Sequence, residues 1–220
     1  DVLEALGVEI DLSPNEVATC IDEVGFGFMF APKHHKAMAH VIPVRKELAV
    51  RTIFNFLGPL TNPAGATAHL LGVSDRSYQE IIADALVQLG CTRGLVVSAD
   101  DGIDELSIAS RTRVIEVADG GTEEWYVEAD ELGLQPAPLD AIPGGEPDEN
   151  AEVIRSVLGG DAGPARDVSV LNAGAAIYVA GGAGGLSDGV AKASEAIDSG
   201  AVRDVLDRLV ARSRELSGAS

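Results

Sequence analysis

Four carboxylates lie close together where an apolar run ends. Asp100, Asp101, Asp104 and Glu105 follow residues 94–98, which predict a buried strand. The carboxyl ends of parallel strands form the rim where α/β proteins bind ligands. Adjacent Asp104 and Glu105 on a loop can both turn toward one hard cation, so the segment predicts a Mg²⁺ site completed by water and phosphate oxygens. A solvated acidic loop is the alternative, and composition alone leaves both open.

The basic residues are concentrated in one part of the chain. Residues 33–50 contain seven of the twenty Lys, Arg and His side chains. Such an island in an acidic protein indicates an anionic ligand, and Arg45 offers a bidentate fork for a carboxylate or phosphate. The alternative is a helix face paired with acidic neighbours. The spacing of His34, His35 and His40 matches no standard zinc pattern.

Two further features favour structural roles. The run of glycines over residues 181–185 follows a predicted helix and precedes no Lys-Ser/Thr pair, so it indicates a helix end and not a phosphate loop. Cys20 and Cys91 are isolated in the sequence, which excludes a disulfide framework. We expect both to be inert core thiols of a protein in a reducing cytosol.

The elements that must position the acidic segment follow an α/β pattern. Apolar runs predict strands over 66–73 and 94–98, with a helix over 77–89 between them. This spacing indicates a parallel unit with a right-handed crossover. A β-hairpin is predicted from 107–117 and 124–128 around Asp119-Gly120-Gly121. The expected fold is therefore α/β, with a central, mainly parallel sheet flanked by helices.

The remaining segments are predicted to be mostly helical. Ser13-Pro14-Asn15-Glu16 has the pattern of a capping box. Residues 25–32 predict a short buried strand and turn, and 54–63 and 135–150 predict loops. Helices are expected over 36–40, 44–50, 151–158, 168–180 (buried on all sides) and 201–216. The chain opens at Asp1 on an apolar helix face that ends at Gly7, so we expect 1–220 to be the tail of a longer chain.

Composition excludes several classes of protein. The 220 residues are 46% apolar, enough for one domain or a domain with a small appendage. Sixteen basic and 35 acidic residues give a net charge of −19, which argues against passive nucleic-acid binding. No apolar stretch approaches the length of a membrane span. Four Lys against twelve Arg resembles proteins of salt-loving cytoplasms; an ordinary acidic protein from a GC-rich genome is the alternative.

Several motifs in order resemble anthranilate phosphoribosyltransferases over essentially all 220 residues. They are Asp1-Val2-Leu3-Glu4-Ala5-Leu6-Gly7, Phe30-Ala31-Pro32 with His35, Pro43-Val44-Arg45-Lys46-Glu47-Leu48, the specific run Arg51-Thr52-Ile53-Phe54-Asn55-Phe56-Leu57-Gly58-Pro59-Leu60-Thr61-Asn62-Pro63, Asp101-Gly102-Ile103-Asp104-Glu105-Leu106, and Leu171-Asn172-Ala173. The resemblance implies the nucleoside phosphorylase/phosphoribosyltransferase type of fold, with a small helical domain contributed only in part. It also implies Mg²⁺-dependent transfer of phosphoribose from phosphoribosyl pyrophosphate (PRPP) to the amine of anthranilate, in tryptophan biosynthesis.

The resemblance assigns roles to seven residues. Arg45 matches the arginine that holds the anthranilate carboxylate, and Asp104 and Glu105 match the acidic pair that binds two Mg²⁺ ions bridging the pyrophosphate. Positions lining the aromatic substrate's channel match Ala31, Pro32, His35 and Pro59. No other catalytic residue is assigned. Residues 1–220 are expected to form the C-terminal portion of the α/β catalytic domain, and about residues 33–50 are expected to pack with the small helical domain.

The family's glycine-rich pyrophosphate loop and its Lys-His-Gly-Asn segment belong upstream of the position of Asp1, and neither occurs here. We therefore expect these 220 residues alone to be inactive, and the intact protein to be a cytoplasmic homodimer. A pyrimidine nucleoside phosphorylase remains an alternative; it would use phosphate as nucleophile and would not need the acidic pair. Further alternatives are a non-catalytic relative that binds nucleic acid, which the charge opposes, and an inactive fragment that only dimerises or misassembles.

Overall fold

A computed structural model describes residues 1–34 and 60–218. His35, Arg45 and Pro59, the helices predicted over 36–40 and 44–50, and most of the loop predicted over 54–63 lie outside these residues. The chain divides into two compact units. The helical unit comprises Asp1–Gly65, Gly145–Leu158 and Gly200–Ser220, and the sheet unit comprises Ala66–Gly144 and Gly159–Ser199.

The described elements are numbered in chain order. The helices are α1 (Val2–Ala5), α2 (Pro14–Val24), α3 (Ala31–His34), α4 (Gln79–Gln88), α5 (Pro147–Leu158), α6 (Pro164–Val179), α7 (Leu186–Asp198) and α8 (Ala201–Ser217). The strands are β1 (Ala68–Gly72), β2 (Arg93–Ala99), β3 (Thr112–Ala118) and β4 (Gly121–Val127). Short 3₁₀ turns cover Arg76–Tyr78, Asp130–Leu132 and Leu139–Ala141.

The strands form one sheet in the order β1-β2-β3-β4. β1 and β2 are parallel and are joined through α4, as predicted. β3 pairs antiparallel with both β2 and β4. The α/β class is confirmed, but among the described strands only one of three pairings is parallel, so the sheet is mixed and not mainly parallel. The reason is topological, because a parallel pair needs a crossover whereas a hairpin reverses the chain.

The predicted hairpin is confirmed, with a later start to its first strand. Asp119 (φ 51°) and Gly120 (φ 76°) form the turn between β3 and β4. Positive φ at both positions is the geometry of a type I′ turn, whose twist matches that of the flanking strands. β3 begins at Thr112, and residues 107–111 instead belong to the connection from β2.

In the described part of the helical unit, seven buried residues form a hydrophobic cluster: Val8, Ile10, Leu12, Val17, Cys20, Val24 and Leu209. The predicted capping box is present at the start of α2, where Ser13 and Glu16 each accept a backbone N–H of the other. The buried strand predicted over 25–32 is wrong. Gly25 ends α2 with φ 90°, the next residues are irregular, and Phe26 and Phe28 are 44% and 38% exposed.

The helices after residue 144 differ from the prediction in number and burial. α5 and α6 begin earlier than expected, and α7 was not predicted. α6 is not buried on all sides, because Ser169, Ala173 and Ala176 are exposed. α6 and α7 approach closely at Gly174, where a Cβ atom would lie 2.6 Å from the amide nitrogen of Val190. Alanine and glycine make α6 apolar in composition, yet their small side chains serve this close approach and not all-round burial.

Candidate functional site

The acidic segment connects β2 to β3 at the carboxyl ends of the parallel pair. β2 is buried along almost its whole length, and the chain emerges at Asp100. It returns to the interior at Leu106 and Ser107, which are both 0% exposed. The segment between is a short loop whose two ends are fixed in the core, and we call residues 100–107 the acidic loop.

Two of the four carboxylates serve the loop's own structure. Asp100 accepts a hydrogen bond from Arg76 (Nη2–Oδ1 2.6 Å) and pairs with Arg111 at 3.4 Å. These contacts, chiefly the bond from Arg76, lower the pKa of Asp100. Asp101 accepts from the Ser107 hydroxyl at 2.6 Å and from the Ile103 amide at 3.3 Å, which closes the loop on itself. Both carboxylates are therefore occupied by protein donors.

Asp104 and Glu105 are different. Both are exposed, and within residues 1–34 and 60–218 neither carboxylate accepts a hydrogen bond or forms an ion pair. Partial desolvation is the largest cause that raises the pKa of Glu105, and the negative charges of Asp104 and Asp101 raise it further. The loop thus presents two adjacent carboxylates that repel each other and have no partner among the residues that the structure describes.

Near its two ends, the backbone of the acidic loop donates to Arg111, Ser110 and Thr112, and beside Asp104 and Glu105 it contacts two residues of other elements, Asn172 and Gly72. The Leu106 amide donates to Asn172 Oδ1 at 3.0 Å, and Asn172 Nδ2 donates to the Leu106 carbonyl at 2.9 Å. At the end of β1, a Cβ atom on Gly72 would lie only 1.5 Å from the carbonyl oxygen of Asp104. Glycine is therefore required at position 72 for the loop to lie where it does.

The pair Asp104 and Glu105 fits a magnesium site shared with a ligand. Mg²⁺ is usually bound by one or two carboxylates together with water and phosphate oxygens. Among the described residues, no group of three or more His, Cys, Asp or Glu side chains is arranged to hold a metal ion. A fully protein-made metal cage is therefore absent from the described part, whereas Asp104 and Glu105 can supply the two carboxylates that a shared site needs.

The predicted substrate residues are only partly described. Ala31 begins α3 and is exposed, and Pro32 follows it in the same short helix of the helical unit. His35, Arg45 and Pro59 lie outside the described residues, so the roles assigned to them stay predictions. Within the basic island, the Lys33 ammonium pairs with Asp11 at 2.8 Å, as its alternative interpretation expects.

The predicted burial of both cysteines and the predicted helix end at the glycine run are confirmed. Cys20 and Cys91 are free thiols, 1% and 9% exposed, and burial raises the pKa of each. The glycine run separates α6 from α7, and Gly181 has φ 78°. Its polar groups bond within the protein, because the Gly184 amide donates to Asp188 and Lys192 donates to the Gly182 carbonyl.

Sequence analysis missed the roles of Asn172 and Gly72. Asn172 stands in one of the motifs that carry the family resemblance, but its contact lies 66 residues away in the chain. Gly72 lies inside the strand predicted over 66–73, where its residue type alone does not indicate a close approach of another segment. No local pattern indicates either contact, because each depends on how separate elements pack.

The fold agrees with the comparison with known families. The family described as "Glycosyl transferase family, a/b domain" matches residues 1–203. The chain belongs to this family. Its relatives include anthranilate phosphoribosyltransferases of Rubrobacter xylanophilus, 51% identical over 99% of the chain, and of Symbiobacterium thermophilum, 50% identical over 95%. The chain spans 64% and 61% of the lengths of these two relatives. The resemblance recognised in the sequence is therefore confirmed.

Solved structures give the same result. The anthranilate phosphoribosyltransferase of Thermus thermophilus superposes with a TM-score of 0.91 and 48% identity, covering 97% of this chain and 63% of that one. The Saccharomyces cerevisiae enzyme, in complex with PRPP and Mg, superposes with a TM-score of 0.90 and 27% identity, covering 98% and 62%. In the described part of the chain, no helix has both the length and the apolarity that a membrane crossing requires.

Proposed function

We propose that this chain is the α/β portion of a transferase that moves phosphoribose from PRPP to the amine of anthranilate. The product is N-(5-phosphoribosyl)anthranilate, and pyrophosphate leaves. The observation that carries the proposal is the pair Asp104 and Glu105, two carboxylates at the carboxyl end of β2 that have no partner in the described part of the chain. The named relatives, including one in complex with PRPP and Mg, support it.

The proposed task of Asp104 and Glu105 is to hold magnesium against the pyrophosphate group. When bound, the ion neutralises negative charge that develops on the leaving pyrophosphate. Once ionised, the two exposed carboxylates carry no proton, so they can offer negative charge and oxygen lone pairs to the metal ion. Asp100 and Asp101 have no part in this proposal, because their protein donors already occupy them.

Arg45 is proposed to bind the anthranilate carboxylate. The nucleophile is a neutral aromatic amine, which needs placement more than activation. A guanidinium fork can hold a carboxylate through two parallel hydrogen bonds and so fix the orientation of the ring. Ala31, Pro32, His35 and Pro59 are proposed to line the channel for the same substrate.

We further propose that the protein works in the cytoplasm as a homodimer. The buried free thiols Cys20 and Cys91 suit a reducing compartment. Dimerisation is carried over from the family resemblance alone. Its test is the molar mass of the protein in solution, and a monomeric mass at assay concentration would contradict it.

The metal pair is tested in the protein expressed from its natural gene. The variant Asp104→Asn/Glu105→Gln should abolish Mg²⁺-dependent conversion of PRPP and anthranilate while leaving anthranilate binding nearly intact. Asp140→Asn/Glu131→Gln removes the same charges from exposed sites of the sheet unit and should retain turnover. The decrease in anthranilate fluorescence measures the turnover of both variants. Normal turnover in the first variant would reject the metal role, and phosphorolysis of a pyrimidine nucleoside without PRPP turnover would reject the reaction.

Arg45→Ala should raise the KM for anthranilate and change that for PRPP little. Loss of a charge-assisted bidentate contact costs about 2–4 kcal/mol, which corresponds to roughly 30- to 900-fold in binding. Arg203→Ala removes an exposed arginine on α8 and serves as the control. Steady-state kinetics with both substrates varied measures the effect, and equal changes in the two KM values would reject the assignment.

A further inference from the structure

Three hydrogen bonds fix the orientation of the Asn172 carboxamide. Its Oδ1 accepts from the Leu106 amide and its Nδ2 donates to the Leu106 carbonyl. Nδ2 also donates to the Val168 carbonyl one turn earlier in α6, at 3.0 Å. The last contact determines which end of the carboxamide faces which backbone group of Leu106.

The backbone at Leu106 has no ready substitute for this contact. Leu106 is 0% exposed, so water cannot replace either partner of a lost bond. The side chain of Asn172 takes the place of a neighbouring strand, since it supplies one donor and one acceptor to a single residue. It ties the loop to α6, a 16-residue helix, whereas the Asp101–Ser107 contact only closes the loop on itself.

This contact lies directly beside the two carboxylates. Leu106 follows Glu105 in the chain, and the carbonyl of Asp104 rests over Gly72. The backbone of the pair is therefore held on one side by β1 and on the other by α6, while the carboxylates themselves have no partner within residues 1–34 and 60–218. Two adjacent like charges favour a loop that spreads apart, and these two contacts oppose that movement.

We propose that Asn172 is a positioning residue for the metal-binding pair. By fixing the backbone at Leu106, its carboxamide holds the carboxylates of Asp104 and Glu105 in the arrangement that binds Mg²⁺ together with pyrophosphate. The proposal rests on the function proposed above. Residues that orient metal ligands by hydrogen bonds typically change metal affinity by about 10- to 100-fold when they are replaced.

The test is Asn172→Asp, which keeps the size of the side chain but replaces the donor to the Leu106 carbonyl by an oxygen. We expect the affinity for Mg²⁺ in the presence of pyrophosphate, measured by isothermal titration, to fall about tenfold or more. The Mg²⁺ concentration for half-maximal activity should rise by the same factor, and the KM for anthranilate should stay within about twofold. This pattern separates positioning of the metal from a general loss of structure.

The chain contains a matched control. Asn150 makes the same pair of hydrogen bonds with the backbone of a single residue, Gly145. Its Nδ2 donates to the Gly145 carbonyl at 2.8 Å, and its Oδ1 accepts from the Gly145 amide at 3.0 Å. Asn150 belongs to the helical unit and to another loop. Asn150→Asp should leave the affinity for Mg²⁺ with pyrophosphate unchanged.

Two further measurements complete the test. In the Asp104→Asn/Glu105→Gln background, Asn172→Asp should have no additional effect on Mg²⁺ binding. If Asn172→Asp does not fold, Asn172→Gln keeps donor and acceptor on a longer arm and should show a smaller loss of the same affinity. A wild-type Mg²⁺ dependence in a folded Asn172 variant would overturn the proposal. Failure of the wild-type protein itself to bind Mg²⁺ with pyrophosphate would instead overturn the proposed function.

Discussion

Substitution of Gly72 by alanine tests the position of the acidic loop most directly. The new Cβ atom would lie 1.5 Å from the carbonyl oxygen of Asp104 and 2.4 Å from its carbonyl carbon. An ordinary contact begins at 3.4 Å, so the atoms must separate by about 2 Å. The obstacle is backbone and cannot rotate away as a side chain could.

The loop, and not the strand, is expected to move. β1 is held in register with β2, with Gly72 opposite Val97, and the Val73 amide donates to the Val97 carbonyl at 2.9 Å. Overpacking usually costs about 1–3 kcal/mol, and the upper end applies because the clash is with backbone. The smaller entropy of the unfolded chain offsets about 0.4–1 kcal/mol. A net loss of about 2–3 kcal/mol lowers the Tm by roughly 5–10 °C.

Gly121→Ala is the control in the same sheet. A Cβ atom there would meet nothing closer than 3.9 Å, so the Tm should stay the same or rise slightly. Thermal melts monitored by circular dichroism measure both variants, and titration of Mg²⁺ with pyrophosphate should show weakened binding for Gly72→Ala alone. If Gly72→Ala kept both the wild-type Tm and the wild-type Mg²⁺ affinity, the close approach of Asp104 to β1 would be refuted.

Three other predictions concern charge and packing. Glu105→Gln should raise the Tm at pH 7.5, because the pKa of Glu105 is raised and ionisation of its carboxyl therefore destabilises the folded state. The wild-type protein loses this stability as the pH rises from the ordinary carboxyl range through the raised pKa, so the variant should gain nothing at pH 4. An equal gain in Tm at both pH values would contradict this reasoning. Gly174→Ala should lower the Tm more than Gly184→Ala, because a Cβ atom at position 174 would lie 2.6 Å from the Val190 amide nitrogen, whereas position 184 has open space around it. Equal melting temperatures of the two variants would show that α6 and α7 are not in close contact at Gly174. Melts from 0.1 M to molar KCl should show rising stability, because salt screens the net charge of −19, and a flat or falling Tm would remove the salt-loving interpretation.

The sequence by itself determined the local features of this protein. The capping box at Ser13, the turn at Asp119-Gly120 and the end of α6 at the glycine run all depend on residues a few positions apart, so their residue types suffice to predict them. The acidic pair was predictable for a related reason, because it directly follows an apolar strand. The motifs that resemble anthranilate phosphoribosyltransferases indicated the family in the same way.

Local pattern failed where packing decides. The segment with Phe26 and Phe28 has the composition of a buried strand, yet the described residues provide it with no partner strand. α6 has the composition of a fully buried helix, but its small residues instead allow close contact with α7. In both cases the composition shows that a segment is apolar, but it does not show which surface of the folded protein can cover that segment.

Only the tertiary structure separated the four carboxylates by role. Asp100 and Asp101 are as acidic as Asp104 and Glu105 in the sequence, and only the folded loop brings Arg76 and Ser107 to the first two. Likewise, the contacts of Leu106 with Asn172 and of Asp104 with Gly72 join elements far apart in the chain. A hydrogen bond or a close approach of this kind depends on the relative positions of packed elements, and short-range residue patterns carry no information about these distances.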